Sequence, residues 1–277
     1  MEKVDVIRGL KKNKTAILGL VLIALLIVLA FIGPSVSPYH PLTLEPLNRL
    51  KGPSWGHLFG TDSLGRDILS RIIYGSRISI IIGLIAVSIS LIPGTILGLL
   101  SGFYGKWVDD PIMRSMDIML AFPAILLAIF ITAILGPSLF NTMVAVGIVY
   151  IPHYARVVRS SVLSLKEQLF IEAVRAVGGS DLRIIALHIL PNTIPPIIVY
   201  ATLGMGTAVL QAAALGFLGL GAQPPTPEWG AMLSEGRQYI QNAPHVAAFP
   251  GLAIFVLVLG FNLFGDGLRD LLDPSLK

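Results

Sequence analysis

Between Ile78 and Gly105, and again between Ile118 and Ala155, the chain carries no lysine, arginine, aspartate or glutamate. No feature constrains the fold more. A helix rises 1.5 Å per residue, so crossing about 30 Å of hydrocarbon takes ~20 apolar residues. The first run is long enough for one crossing. The second exceeds one, and Gly136-Pro137 divides it into two helices joined by a tight turn. Ala16 to Ile32, Ile194 to about Leu215 and Phe249 to Phe264 add three more apolar runs. Only 13% of the residues are charged, against ~25% in soluble domains, so lipid is the expected solvent.

The reading is an all-α membrane protein with six transmembrane helices. TM1 is set at 16–33, TM2 at 78–102, TM3 at 115–136, TM4 at 139–155, TM5 at 193–215 and TM6 at 246–266. Residues 78–277 form the core domain. A cleaved signal peptide is the rival for the first run, but the run is longer than an h-region and Phe-Ile-Gly-Pro is a poor cleavage site. Pro93 and Pro123 are expected to kink TM2 and TM3.

Six crossings place both termini on one side. With residues 1–15 cytoplasmic, most of the 20 Lys and Arg fall inside. These are Lys3, Arg8, Lys11, Lys12 and Lys14, then Lys106 and Arg114. Arg156, Arg159, Lys166, Arg175 and Arg183 follow, with Arg269 and Lys277 in the 267–277 tail. The positive-inside rule favours that orientation. Arg49, Lys51, Arg66, Arg71 and Arg77, in or near the Pro/Gly-rich segment 34–77, are left outside with Arg237 of the 216–245 loop. This topology also accounts for the basic balance without nucleic acid. There are no cysteines, and the five histidines show no metal-ligand spacing, so no metal site is expected.

The cytoplasmic loop 156–192 holds the longest charged passage inside this apolar chain. Ser164 to Val177 reads as a short amphipathic helix on which Ala173 and Ala176 permit close approach of another surface. Gly178-Gly179 ends it in a left-handed cap. Ser180 caps a second short helix beginning near Asp181, and Pro191 stops that one. Such a projection either docks into a groove on a soluble partner or simply joins two spans.

The loop resembles the EAA motif of ABC importer permeases: Glu172 and Ala173, then Gly178, then Leu190-Pro191. Val174 departs from it where the motif has Ala, and His188 where it has Ile. The run His-Ile-Leu-Pro-Asn at 188–192 is similar to the peptide and nickel branch. Further stretches resemble C-type permeases of the dipeptide/oligopeptide/nickel family: Phe59 to Asp67, Gly75 to Ser79, Ala214 to Gly230, Phe249 to Ala253 and Asn262 to Asp270. The resemblance implies a type I ABC importer permease fold, with the loop as a coupling helix. Glu172, Ala173, Ala176, Gly178, Gly179, Leu190 and Pro191 would then meet the ATPase. It implies four kinds of partner: a homologous B-type permease subunit, ABC ATP-binding subunits that carry ATP and Mg, an extracytoplasmic solute-binding protein, and membrane lipid. Peptide is the first expectation for the solute. Nickel, glutathione or haem is the alternative.

Other residues keep two readings. Gly94, Gly98 and Gly102 form a small-residue face for tight helix packing. Gly60 to Asp67 is good turn chemistry, with Asp67 able to cap the helix entering TM2. Asp117 is expected to pair with Arg114 at the membrane edge. Thr202, Thr207, Gln211 and Asn262 could line a polar path or bond neighbouring helices. No Gly-x4-Gly-Lys-Ser/Thr run exists to cradle phosphates, and no acid–His relay lies inside a span. The chain is therefore read as no enzyme and as carrying no cofactor, with its energy supplied by a partner. A stand-alone secondary transporter or channel would need the ion-coupling residue that is missing.

Overall fold

The apolar runs fold into long helices packed at close range. A computed structural model describes residues 13–272. Lys3, Arg8, Lys11, Lys12 and Lys277, on which the orientation argument partly rests, lie outside the described residues. Helix α1 spans Lys14–Val36, with Asn13 accepting from the N–H groups of Thr15 and Ala16. Helix α2, Ile68–Tyr104, is followed by α3, Lys106–Ala121, and α4, Ala124–Leu135. Helix α5 is Leu139–Lys166, α6 Leu169–Ala176 and α7 Asp181–Ile184. A π-helical turn, Ile185–Ile189, leads into α8, Leu190–Phe217; α9 is Trp229–Gly236 and α10 His245–Leu272. Among the described residues the only extended pairing is the isolated Thr61–Asp67 bridge.

Helix α2 is the axis. It packs most extensively on α5, with α1 and α8 also against it, and α10 closes the bundle between α1 and α8. Small residues set these distances. A Cβ on Gly94 would sit 2.5 Å from Tyr154 Cβ, one on Gly98 2.6 Å from Ala155 O, and one on Gly102 2.7 Å from Val162 Cβ. The three glycines thus lie against α5 at successive turns. Gly19 of α1 likewise admits the backbone of α10, at 2.5 Å from Phe264 N.

Several boundaries differ from expectation. Helix α2 begins at Ile68, well before residue 78, because Asp67 caps it by accepting from Ser70 N at 2.8 Å. Arg71, inside it, is neutralised by Asp62 and Glu235. Pro93 stays within the uninterrupted α2. The stretch expected as one span, 115–136, is two helices bent by 93°. Phe122 precedes proline and is extended (ψ 138°), as the proline ring demands, so the ladder cannot pass it. Among the described residues four helices are long and apolar enough to cross a membrane, or five if this bent pair forms one span. Helix α5 overruns residue 155, ending only at Lys166.

The two ends of α2 are fastened differently. At its N-terminal end, segment 37–67 and α9 are joined by buried charges. Asp62 Oδ2 accepts from Arg66 Nε at 2.6 Å and from Arg71 Nη1 at 2.5 Å; Glu235 Oε2 accepts from Arg66 Nη2 at 2.7 Å and from Arg71 Nη1 at 3.1 Å. His57 Nδ1 lies 3.0 Å from Asp67 Oδ1. Glu228, also buried, caps α9 by accepting from the N–H groups of Gly230 and Ala231, both at 2.8 Å. Its desolvation pushes that carboxyl above the usual range, opposed by the two bonds. Trp229 is wholly buried and donates from Nε1 to Ile72 O at 3.1 Å. Sequence reading missed α9 altogether.

A candidate docking loop at the far end of the bundle

Loop 167–189 folds at the other end of α2. Three fully buried isoleucines hold it: Ile171 of α6, Ile184 of α7 and Ile189 of the π turn. They pack with Leu99 and Phe103 of α2, Val158 and Val162 of α5, and Ile197 of α8. Arg175 adds a cation over the Phe103 ring, 5.4 Å from its centroid. Helix spacing explains the result. Within the short α6, Ile171 is the one fully buried position and the opposite face is left bare.

That bare face carries most of the predicted docking residues. Glu172, Ala173, Ala176 and Gly178 are exposed; Gly179 is half-buried. Gly178 has φ +85°, a left-handed value that suits glycine, and a Cβ there would meet nothing within 4 Å. The α6 end is tied by Gly178 N donating to Arg175 O at 3.0 Å and by Gly179 N donating to Val174 O at 2.9 Å. Unpredicted apolar side chains ring the same face. Leu169 is 81%, Val177 84% and Leu182 76% exposed. The signal for them was present in hydrophobic residues flanking a glycine pair, where only turn residues were sought.

Local details correct the sequence reading. The expected helix 164–177 is broken at Glu167–Gln168, where α5 ends and α6 begins. Ser180 stands at the start of α7, but its side chain makes no capping bond. Pro191 does not stop the helix. It sits in the first turn of α8, and the chain stays helical from Asp181 to Phe217. Lacking an N–H, Pro191 cannot bond Leu187 O; the π turn before it accommodates the missing rung. Asn192 Nδ2 donates to His188 O at 2.6 Å beside it. Leu190 is half-buried and Pro191 exposed.

Ion pairs brace the loop's base. Arg159 of α5 donates from Nε to Asp109 of α3 at 2.6 Å, and Ser101 Oγ also donates to Asp109. The Arg159 bond is the main reason the Asp109 carboxyl is held below its usual value, partly offset by burial. Lys166 Nζ donates to Gly102 O at 3.0 Å. Asp117 pairs with Arg156 at 2.5 Å, not with Arg114.

The four polar pathway candidates are not brought together. Thr207 lines a cavity of about 100 Å³ with Ser90, Tyr150, His153, Tyr154 and Tyr200. Thr202 and Thr207 each donate to their own helix, to Ile198 O at 2.9 Å and Leu203 O at 3.3 Å. Asn262 faces Gly206 across the α8–α10 contact. Gln211 is half-buried and lines none of this cavity. Small-molecule sites run to about 300–1,000 Å³, so the cavity is too small for a peptide as it stands.

Residues 94–277 match the family described as binding-protein-dependent transport system inner membrane component. The chain belongs to this family. Residues 4–53 match a second model, the N-terminal TM domain of oligopeptide transport permease C. The permease is 57% identical to the dipeptide transport system permease protein DppC of Alkalihalophilus pseudofirmus, over 99% of this chain and 90% of that protein. It is 51% identical to the di/tripeptide transport system permease protein DppC of Pseudomonas aeruginosa, over 96% and 89%. Identity is also 51% to the glutathione transport system permease protein GsiD of Escherichia coli O157:H7, over 98% and 89%. Its fold is shared with a chain of the inward-facing MetNI methionine ABC transporter: TM-score 0.57, 22% identity, 72% of this chain and 95% of that one.

Proposed function

We propose that this permease is a transmembrane subunit of an ATP-driven importer that moves dipeptides and short oligopeptides across the plasma membrane by alternating access. The observation that carries the mechanism is the exposed face of Glu172, Ala173, Ala176 and Gly178 on a loop anchored from beneath by Ile171, Ile184 and Ile189. A soluble subunit that binds this face can push on α2, α5 and α8 together, because all three contribute to the cluster under it. Nucleotide then shifts the two membrane states only if the ATPase binds them with different affinity.

In this reading α1, α2, the bent α3–α4 pair, α5, α8 and α10 make six crossings, with both termini cytoplasmic. The charge distribution supports that orientation. Separate ATP-binding subunits hold ATP and Mg beneath the loop, a homologous B-type permease subunit completes the pathway, and a solute-binding protein delivers peptide outside. Two relatives named for dipeptide or di/tripeptide transport support the solute class. The relative named for glutathione transport favours one second reading, glutathione itself.

Uptake of a labelled dipeptide into cells carrying the full transporter tests both levels. Glu172→Lys and Gly178→Asp should leave membrane insertion intact and abolish uptake, since the first reverses a charge on the docking face and the second places a side chain at φ +85°. Normal uptake in both variants would overturn the coupling role. Uptake of labelled glutathione by the same cells, with none of the labelled dipeptide, would overturn the solute assignment alone.

A further inference from the structure

At the α9 end of the bundle an open groove of about 640 Å³ runs between α8 and α10. Every residue lining it is apolar, among them Leu210, Phe217, Leu218, Gly251, Phe255 and Val258. The groove lies along the outside of the bundle, and Phe255 and Leu210 are 57% and 51% exposed. A Cβ on Gly251 would meet only Leu233, at 3.6 Å, so its floor is open. One cation stands at the mouth. The Arg237 guanidinium lies 5.6 Å from the ring centroid of Phe217, a groove residue. Arg237 is exposed and makes no ion pair among the described residues. Arg66 and Arg71, by contrast, each pair with Asp62 and Glu235.

We propose that this groove binds a phospholipid, with an acyl chain along α8 and α10 and the phosphate on Arg237. Both halves of the ligand follow from the site. The groove is large enough for a flexible apolar chain and offers it no hydrogen bond. The cation at its mouth is a guanidinium, which matches a phosphate bidentately. Phe217 ends α8, so the cation sits where a span meets water and the groove descends from there toward mid-bilayer. A helix from another subunit could cover the apolar part but would leave Arg237 to water. A phospholipid brings chain and anion in one molecule. The leaflet, the outer one, rests on the orientation proposed above; the site itself does not.

Native mass spectrometry of the detergent-purified full chain, with whatever subunits co-purify, decides the matter. The probes are dioleoyl-phosphatidylglycerol and dioleoylglycerol, which share tails and differ in the phosphate. The wild type should retain the phospholipid about five-fold better, the worth of one basic residue near a headgroup. Arg237→Gln should erase that preference and keep the tail binding, whereas Gly251→Leu should lose both adducts. Gly251→Ala, which meets only an ordinary contact, should behave as wild type. Absence of either adduct, or an undiminished preference in Arg237→Gln, would overturn the site. So would cross-linking of Phe255→Cys to a co-purified permease subunit, clean to read because the chain has no cysteine of its own. No arm of this measurement reads transport, so it stands or falls apart from the import reading.

Discussion

Single glycines carry the closest contacts in this molecule, and they differ sharply in what a side chain would cost. At Gly98 a Cβ would lie 2.6 Å from Ala155 O and 2.7 Å from Val158 Cβ, both on a neighbouring helix that cannot yield locally. Gly98→Leu should therefore force α2 and α5 apart and cost ~3 kcal/mol or more, beyond ordinary overpacking. Gly52, with nothing within 4 Å, is the control: Gly52→Ala should change stability by less than ~0.5 kcal/mol. Thermal unfolding in detergent separates the two, and equal melting would refute the packing role. Glycines of this kind were legible from spacing alone, because period-four small residues on a lipid-embedded helix have few other uses. Gly178 was legible for another reason, as a left-handed stop. Ile171 was not, since one isoleucine in an apolar chain carries no mark of what it faces.

Among elements, α3 shows how a pair can brace a joint. It turns 93° from α4 and meets α5 through Asp109–Arg159 and Asp117–Arg156. Asp109 has its carboxyl held below the usual 3.8 in the folded state. An acid so depressed stabilises the fold above its unfolded pKa and loses that contribution as pH falls through the folded one. Asp109→Asn should thus melt below wild type at neutral pH, with the gap narrowing once pH drops under 3.8. A gap independent of pH would exclude the ion pair as its source. Charge-free runs located the long helices, but their ends were set by chemistry the runs do not show. Asp67 begins α2 early, Pro123 splits one expected span, and Pro191 fails to stop a helix because a π turn absorbs it. Helix α9 was invisible because its eight residues depend on Glu228 and Trp229 being buried against α2 and α8.

For the whole molecule, the two ends of α2 are fastened differently, by buried charge pairs beside an apolar cluster at the N-terminal end and by an apolar cluster under the loop at the other. Arg66 and Arg71 are 3% and 1% exposed at the side chain and share Asp62 and Glu235. Glu235→Ala would leave buried cations short of one partner and should cost about 3–5 kcal/mol. Asp117→Ala breaks a pair whose members are 59% and 52% exposed and should cost under ~1 kcal/mol. Unfolding of the two variants side by side checks the ranking, and a reversed order would sink it. Loop 167–189, for its part, is anchored to the bundle by Ile171, Ile184 and Ile189. Contacts of that kind weaken on cooling. Chilling should therefore slacken the joint between loop and bundle. If an ATPase docks on this loop, cold would loosen the very joint through which its motion reaches the spans.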